Sequence, residues 1–259
     1  MIMSLRSDKV GGMEMIAFLT SSPTGPLDGA RKVEGLDKWN SFVDNLKKYW
    51  KPSARNLMIT AAPDEYERND EMIEFFSRAS TISGLSWSAF DLWDGRDGYV
   101  SQEMLHSYDV IWLGGGHGPT QNTFFQEIEL KEKLQGFEGI IIGISAGSMN
   151  SADVCYALPE EDGEAVDPEY KRFIRGLDLT KTQILPHYQM VKDWYKDGMR
   201  LYDDIVYGDS YGNCFLVLPD GSYLLIKDGV ETVWGEAWKV MDGSIYKICE
   251  QNETIIWEK

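Results

Sequence analysis

The stretch Gly139–Ile144, GIIIGI, is almost wholly apolar and is only as long as one strand. A strand that is apolar on both faces is typical of the centre of a parallel sheet, where helices cover both sides. Other short apolar runs precede it and alternate with longer amphipathic stretches: Met15–Thr20, Asn56–Ala61, Ser86–Leu92 and Val110–Leu113. This alternation predicts an α/β fold in which a mostly parallel central sheet is flanked by helices.

The amphipathic stretches Leu36–Trp50 and Thr120–Leu134 place apolar residues at helical spacing and predict helices packed on the core. After Asn213 the pattern changes to short β-rich pieces separated by the pairs Asp220-Gly221, Asp228-Gly229 and Asp242-Gly243. Such pairs are typical of tight hairpin turns, so they predict an antiparallel meander. Because each piece is short, we expect residues 213–259 to form a β-rich antiparallel C-terminal extension of the main domain.

Chain length favours one domain, because 259 residues lie near the upper size of a single hydrophobic core. We therefore expect one α/β domain over residues 1–259, with residues 1–12 as an N-terminal tail. No run of about eighteen apolar residues predicts a membrane span, and the N-terminus lacks the pattern of a secretory signal. The cysteines are odd in number and widely spaced, which favours reduced thiols and a cytoplasmic location: Cys155, Cys214 and Cys249.

Charge and histidine content constrain the partners. A formal net charge of −17 would repel phosphate backbones and anionic lipids, so we expect neither nucleic-acid nor membrane partners. With three histidines and no clustered Cys/His spacing, we expect no metal and no other cofactor. The sequence leaves the oligomeric state open, a homodimer included.

The pattern GxSxG occurs at residues 143–147, where Ser145 lies directly after the apolar strand and before a helix-compatible stretch. This pattern holds a serine on a sharp strand-to-helix turn, with small residues beside it where backbone segments crowd together. The strand-turn-helix context therefore predicts a nucleophilic Ser145. The alternative is a plain tight turn in which Ser145 caps the following helix.

A second glycine cluster, Gly114-Gly115-Gly116-His117-Gly118, follows the strand candidate Val110–Leu113. In a parallel sheet both clusters lie at the carboxyl ends of strands, where open α/β sheets bind ligands. Amides of this loop, together with the amide of Ala146, could form a hole for a developing oxyanion. The alternatives are a phosphate-binding loop and a simple turn, although the glycines do not match GxGxxG and no GK[ST] follows.

A serine nucleophile needs a base, and His106, His117 and His187 are available. His106 lies in a polar stretch and is expected to be an exposed helical residue. His187 ends a short apolar run, and so lies at a strand terminus, whereas His117 in the glycine loop is a candidate for binding substrate. The spacing favours His187 as the base and leaves His117 as the alternative.

The motifs GGG after a strand, GISAGSMN and LPHY, in this order, resemble peptidase E (aspartyl dipeptidase) and its relatives. These are serine peptidases on a class I glutamine-amidotransferase-like scaffold. The resemblance extends from Asp109 to Gly221, and the segment Leu218–Tyr223 looks like the LPEG-type segment of that family. It implies an α/β fold of this type and the hydrolysis of small peptides through an acyl-enzyme intermediate.

The resemblance also implies a role for particular residues. Ser145 corresponds to the nucleophile, His187 to the general base, and Gly115 and Gly116 to the oxyanion loop. For the third member of the triad it implies an acid about fifteen residues past the serine, where Glu160 is our choice. Glu161 and Asp162 beside it are alternatives, as is a merely solvated acidic loop.

Substrate specificity is the least determined part of the resemblance. Peptidase E prefers an N-terminal aspartate, and a basic residue on the helix after the catalytic histidine is implicated in reading that carboxylate. Arg200 lies near this place, and a surface charge is the alternative. This chain also has His117-Gly118-Pro119-Thr120 where Asn-Thr is common after the glycines, so its pocket floor is expected to differ.

Two other functions remain as alternatives. One is a serine esterase or another amide hydrolase, such as a cyanophycinase-like enzyme. An esterase of the α/β-hydrolase type is disfavoured, because few elements separate Ser145 from His187. The other alternative is a ligand-binding relative that has kept the GxSxG turn but does not catalyse a reaction.

Overall fold

The computed structural model describes residues 15–25 and 35–258, so the predicted tail of residues 1–12 lies outside the described residues. The described strands are β1 Ile16–Thr20, β2 Ala54–Ile59, β3 Trp87–Trp93, β4 Val110–Leu113, β5 Ile140–Ile144, β6 Val154–Tyr156, β7 Phe173–Arg175, β8 Gln183–Leu185, β9 Tyr195–Lys196, β10 Met199–Arg200, β11 Cys214–Val217, β12 Tyr223–Lys227, β13 Val230–Trp234, β14 Ala237–Met241, β15 Ser244–Cys249 and β16 Thr254–Ile256.

The described helices are α1 Phe42–Lys47, α2 Tyr66–Ile82, α3 Gln102–Leu105, α4 Gly118–Glu127, α5 Leu130–Lys133, α6 Ala146–Asn150, α7 Tyr188–Val191 and α8 Tyr207–Asp209. A 3-10 turn at Trp39–Ser41 precedes α1, and a π-helical turn at Leu201–Val206 precedes α8. None of the helices within these ranges combines the length and apolar character that crossing a bilayer requires.

The central sheet has eight strands in the order β16-β13-β12-β1-β5-β4-β2-β3. The five strands from β1 to β3 in this order are parallel, and β12, β13 and β16 extend the sheet antiparallel on the β1 side. The predicted α/β fold, with a mostly parallel sheet, flanking helices and antiparallel C-terminal strands, is confirmed. The one-domain organisation stays a prediction.

Strand β5 lies inside the sheet between two parallel partners, β1 and β4. All its residues are buried, and successive residues belong to different apolar clusters. Ile141 packs with Ile111 in one cluster, whereas Ile142 packs with Trp112 in the other. Because side chains alternate between the faces of a strand, both faces of β5 are covered, which is why its sequence is apolar throughout.

The predicted helix Leu36–Trp50 is wrong in its first part. Asn40 and Ser41 have positive φ values of 51° and 58°, and the α-helix begins only at Phe42. Asn40 is buried, and its amide donates to the Gly221 carbonyl at 2.7 Å. Asparagine tolerates the left-handed conformation better than most residues, so this tertiary contact outweighs the helical periodicity.

The predicted helix Thr120–Leu134 is also interrupted. It begins two residues earlier, at Gly118, and α4 ends at Glu127. Glu129 has a φ of 53°, and the short helix α5 restarts the chain at Leu130. The spacing of apolar residues does not reveal such a break, because the two helical pieces bury the same face.

The predicted C-terminal meander is wrong in its pairing. Strands β12, β13 and β16 extend the central sheet, whereas β11, β14 and β15 join β8 in a separate four-stranded sheet. Two Asp-Gly pairs, at residues 228–229 and 242–243, do close hairpins with positive φ at both positions. The pair at residues 220–221 instead connects the two sheets, so its aspartate is free for another role.

Candidate active site

Ser145 occupies a strained turn between β5 and α6, with φ 50° and ψ −109°. Its N–H donates to the Thr20 carbonyl of the neighbouring strand at 3.1 Å. A Cβ atom at Gly147 would lie 2.2 Å from the Leu113 carbonyl oxygen, and one at Gly143 would lie 2.8 Å from Ser148 Oγ. Only glycine fits both positions, so the sequence GxSxG is dictated by the close approach of these segments.

His187 lies two residues after β8 and directly before α7, with a left-handed backbone at φ 57°. Its Nε2 is 2.8 Å from Ser145 Oγ, and its Nδ1 is 2.6 Å from Asp220 Oδ1. A carboxylate can only accept, so Nδ1 carries the proton and Nε2 is left to accept from the serine hydroxyl. This tautomer is the one that a general base for Ser145 requires.

The carboxyl group of Asp220 is held on both oxygens. The Ser21 hydroxyl donates to Oδ1 at 2.6 Å, and the Gln189 amide donates to Oδ2 at 2.7 Å. The Asp220 N–H in turn donates to Gln189 Oε1 at 3.0 Å, and the His187 N–H donates to Ser21 Oγ at 2.8 Å. With a side chain only 1% exposed, Asp220 is a fixed partner for the imidazole.

Glu160, predicted as the third member of the triad, does not occupy that place, because Asp220 is the acid on His187 Nδ1. The Glu160 side chain lines the same cleft as Ser145 and His187. Burial raises the pKa of Glu160 to about 7, against the opposing effect of His117 and His187. Of the two neighbouring alternatives, Glu161 is 67% exposed, and Asp162 is fully exposed and bonded to a lysine.

The raised pKa of Glu160 makes a prediction about stability. The Glu160 carboxyl binds its proton more tightly in the folded state than in the unfolded state. Its contribution to the free energy of unfolding is therefore lost as the pH rises from its unfolded pKa of 4.5 towards 7. Glu160→Gln removes this ionisation. Its gain in free energy of unfolding over the wild type should therefore be larger at pH 8 than at pH 4, by about 1–3 kcal/mol. Urea unfolding at the two pH values measures this difference. Glu161→Gln, at an exposed position, is the control, and an equal gain there would contradict the assignment.

The glycine loop contacts the serine turn. A Cβ atom at Gly115 would lie 3.3 Å from Ile144 Cγ2 and 3.6 Å from Ser145 Cβ, and one at Gly116 would lie 2.8 Å from Ala61 Cβ. The structure therefore brings the two predicted glycine motifs together beside Ser145. Ala146 follows Ser145 as the first residue of α6 and is fully buried.

His117, predicted to bind substrate, lines the cleft but is anchored within the protein. Its Nε2 is 2.8 Å from Glu164 Oε1, and its Nδ1 is 2.8 Å from Thr120 Oγ1. Its imidazole also groups with Glu161 and Glu164 at the spacing of metal ligands, within 4.8 Å of one another. The second Glu164 oxygen accepts the N–H groups of Glu160 and Glu161, so internal hydrogen bonds account for this cluster and we assign it no ion.

Arg200, predicted to read an acidic group of the substrate, is held elsewhere. It lies in the short strand β10 and not on the predicted helix, and its guanidinium contacts Asp203 and Asp204, each at 2.8 Å. These are carboxylates of its own segment, which makes Arg200 a paired surface charge. His106 was predicted to be an exposed helical residue, but it is half-buried and lies just after α3. Its Nε2 is 2.9 Å from the Lys133 carbonyl.

Known proteins resemble this chain in sequence pattern and in fold. A model of "Peptidase family S51" matches residues 39–233. The crystal structure of a peptidase from an acI-B1 Actinobacterium is similar over 95% of this chain and 98% of its own, with a TM-score of 0.60 and 16% identity. A candidate peptidase E protein from Listeria monocytogenes EGD-e is similar over 92% and 99% of the two chains, with a TM-score of 0.48 and 13% identity. No curated protein sequence matches the chain.

Proposed function

The chain belongs to peptidase family S51, and we propose that it is a serine peptidase that hydrolyses short peptides through an acyl-enzyme on Ser145. The observation that carries this proposal is the continuous hydrogen-bonded path from Ser145 through His187 to Asp220, with steps of 2.8 and 2.6 Å. Such a path lets a base take the serine proton while a buried carboxylate stabilises the imidazolium that forms. The proposed triad is thus Ser-His-Asp in place of the expected Ser-His-Glu.

In the proposed reaction, Ser145 Oγ attacks the peptide carbonyl carbon while His187 Nε2 takes the hydroxyl proton. The N–H groups of Gly115, Gly116 and Ala146 receive the developing oxyanion. Cleavage of the C–N bond sends the His187 proton to the departing amine and leaves an ester on Ser145. A water molecule, deprotonated by the same Nε2, then attacks the ester, and the proton returns to Ser145 as the acid product leaves.

The cleft around Ser145 has a volume of about 910 Å³, which gives room for a short peptide. A preference for N-terminal aspartate, which the resemblance implies, loses its predicted reader because Asp203 and Asp204 hold Arg200. We therefore restrict the proposal to short peptides. The hydrogen bond between Ser145 and His187 also favours a catalytic function over that of a ligand-binding relative.

The experiment is a panel of dipeptides, isoaspartyl dipeptides, tripeptides and simple esters, with products identified by mass spectrometry. The proposal expects new amino termini from peptides with the wild type and none with Ser145→Ala. Turnover of esters alone would favour the esterase alternative. Absence of turnover on every substrate would contradict a peptidase.

Ser21 is proposed as a positioning residue for this triad. Its hydroxyl joins the backbone of His187 to the carboxylate of Asp220, and it comes directly after the central strand β1. Ser21→Ala leaves one bond to a buried carboxylate unmade and should lower kcat about 10- to 100-fold with little change in KM.

Ser22→Ala is the matched control for Ser21. The Ser22 hydroxyl donates to the Gly25 carbonyl within its own loop and has no bond to the triad. A drop in kcat that is equal in the two variants, or a Ser21→Ala effect that falls on KM and not on kcat, would refute the positioning role.

A further inference from the structure

One wall of the cleft is a single face of helix α2. Glu71, Met72 and Phe75 line it at helical spacing, together with the buried Phe76. Met72 also lies beside the start of the glycine loop, since a Cβ atom at Gly114 would lie 3.5 Å from its Cε. The apolar part of this wall therefore begins beside that loop.

The segment that follows His187 supplies further apolar groups to the cleft. Met190, Val191 and Trp194 line the cleft on this side. Met190 is 44% exposed and Trp194 is 39% exposed, although both have large apolar side chains. Large apolar groups left in contact with water at a concave site are typical of a surface that a ligand covers.

The charges that line the cleft oppose an acidic substrate side chain. Glu71 and Glu161 border it, and so does Glu160, which its raised pKa of about 7 leaves only partly ionised at neutral pH. Arg68 borders it too, but its guanidinium donates to Glu65 at 2.8 Å. A substrate carboxylate would approach these acidic groups, an arginine that is already paired, and the imidazoles of His117 and His187, which are hydrogen-bonded to Glu164 and Asp220. An uncharged side chain meets no such repulsion.

From these walls and charges we infer that the cleft selects peptides whose residue on the acyl side of the scissile bond has a large apolar side chain, such as phenylalanine or leucine. An aspartate at the same position is disfavoured. The inference rests on the proposed function and adds the substrate class to it. The apolar walls remove the side chain from water, and the carboxyl groups discriminate against an acidic one.

The test compares kcat/KM for Phe-Ala, Ala-Ala and Asp-Ala as substrates. We expect Phe-Ala to exceed Ala-Ala by at least about tenfold, which is an ordinary gain for filling an apolar pocket. Asp-Ala should fall below Ala-Ala, because it lacks the apolar gain and meets the carboxyl groups.

Two pairs of variants locate the selectivity. Trp194→Ala and Met190→Ala should each lower the Phe-Ala to Ala-Ala ratio at least about threefold, mainly by raising the KM for Phe-Ala. Trp87→Ala and Met104→Ala are matched controls, since these residues are 38% and 53% exposed and lie outside the cleft lining. The controls should keep the ratio of the wild type.

The outcomes separate this inference from the proposed function. A preference for Asp-Ala, equal rates on all three dipeptides, or ratios that the cleft and control variants change alike would overturn the substrate class and leave a serine peptidase. Failure to cleave any of the three by a protein whose Ser145 still reacts with a fluorophosphonate would overturn the substrate class as well. Failure of both cleavage and labelling would overturn the proposed function itself.

Discussion

Ser145→Ala should abolish peptide hydrolysis while leaving the fold intact. The substitution deletes the only atom that forms the acyl-enzyme, and loss of a serine nucleophile lowers kcat by about 10⁶-fold in a triad enzyme. The turn should persist, because Ser145 is anchored through its backbone N–H to Thr20 and its positive φ is strained for serine and alanine alike. Peptide turnover and thermal unfolding of the two proteins measure the two halves of this expectation.

An unchanged rate in the alanine variant would remove Ser145 from the mechanism. A lost rate together with a much lower melting temperature would show a structural role in place of a chemical one. Ser148→Ala is no suitable control, because the Ser148 hydroxyl donates to the Thr20 carbonyl inside the core. Ser107→Ala, at an exposed position distant in sequence from Ser145, serves as the control.

Asp220→Asn should lower kcat by about 10⁴-fold, whereas Glu160→Gln should lower it less than about tenfold. The carboxylate of Asp220 fixes the proton on His187 Nδ1 and supports the imidazolium. An amide at the same place offers a donor towards Nδ1 and favours the wrong tautomer. The buried position and the bonds from Ser21 and Gln189 hold the side chain beside His187.

The two substitutions are matched, since each replaces a carboxyl group by its amide. Steady-state kinetics on one peptide, with circular dichroism of both variants, gives the comparison. If Glu160→Gln lost activity and Asp220→Asn kept it, the acid expected from the sequence would be restored and the geometry-based assignment would be wrong.

The strand-to-helix turn at Ser145 could be predicted from the sequence because its constraints are local. The apolar strand β5, the crowding at Gly143 and Gly147, and the position of Ser145 all arise within a few residues. His187 was identifiable for a related reason, since it ends the short apolar run of β8. Parallel sheets bring such strand ends to one edge, so local signals favour a meeting of Ser145 and His187, although they leave His117 as an alternative.

The acid could not be predicted in the same way. Asp220 precedes a glycine, and this pair looks the same in sequence as the hairpin turns at Asp228 and Asp242. Its difference lies in which strands it joins, because β11 and β12 belong to different sheets. Pairing partners far apart in the chain decide that, and periodicity does not record them. The available signal is that Asp220 lies within the segment LPDG, which resembles the LPEG-type segment of the family.

Spacing along the chain misled the remaining assignments. Glu160 stands at the expected distance from Ser145, and the chain does bring it to the cleft, but the position at the imidazole is already occupied. Arg200 follows His187 at the expected distance, yet the chain there forms β10 and the arginine pairs with its own neighbours. A residue's distance in sequence fixes its neighbourhood only where the intervening elements keep their form.

The most direct test of a nucleophilic Ser145 is the intact mass of the protein after treatment with a fluorophosphonate, followed by mapping of the modified residue. A serine activated by His187 should take up one adduct, located on Ser145, and Asp220→Asn should react far more slowly. Ser145→Ala should take up none. Absence of an adduct on the wild type, or an adduct that persists in Ser145→Ala, would contradict the account.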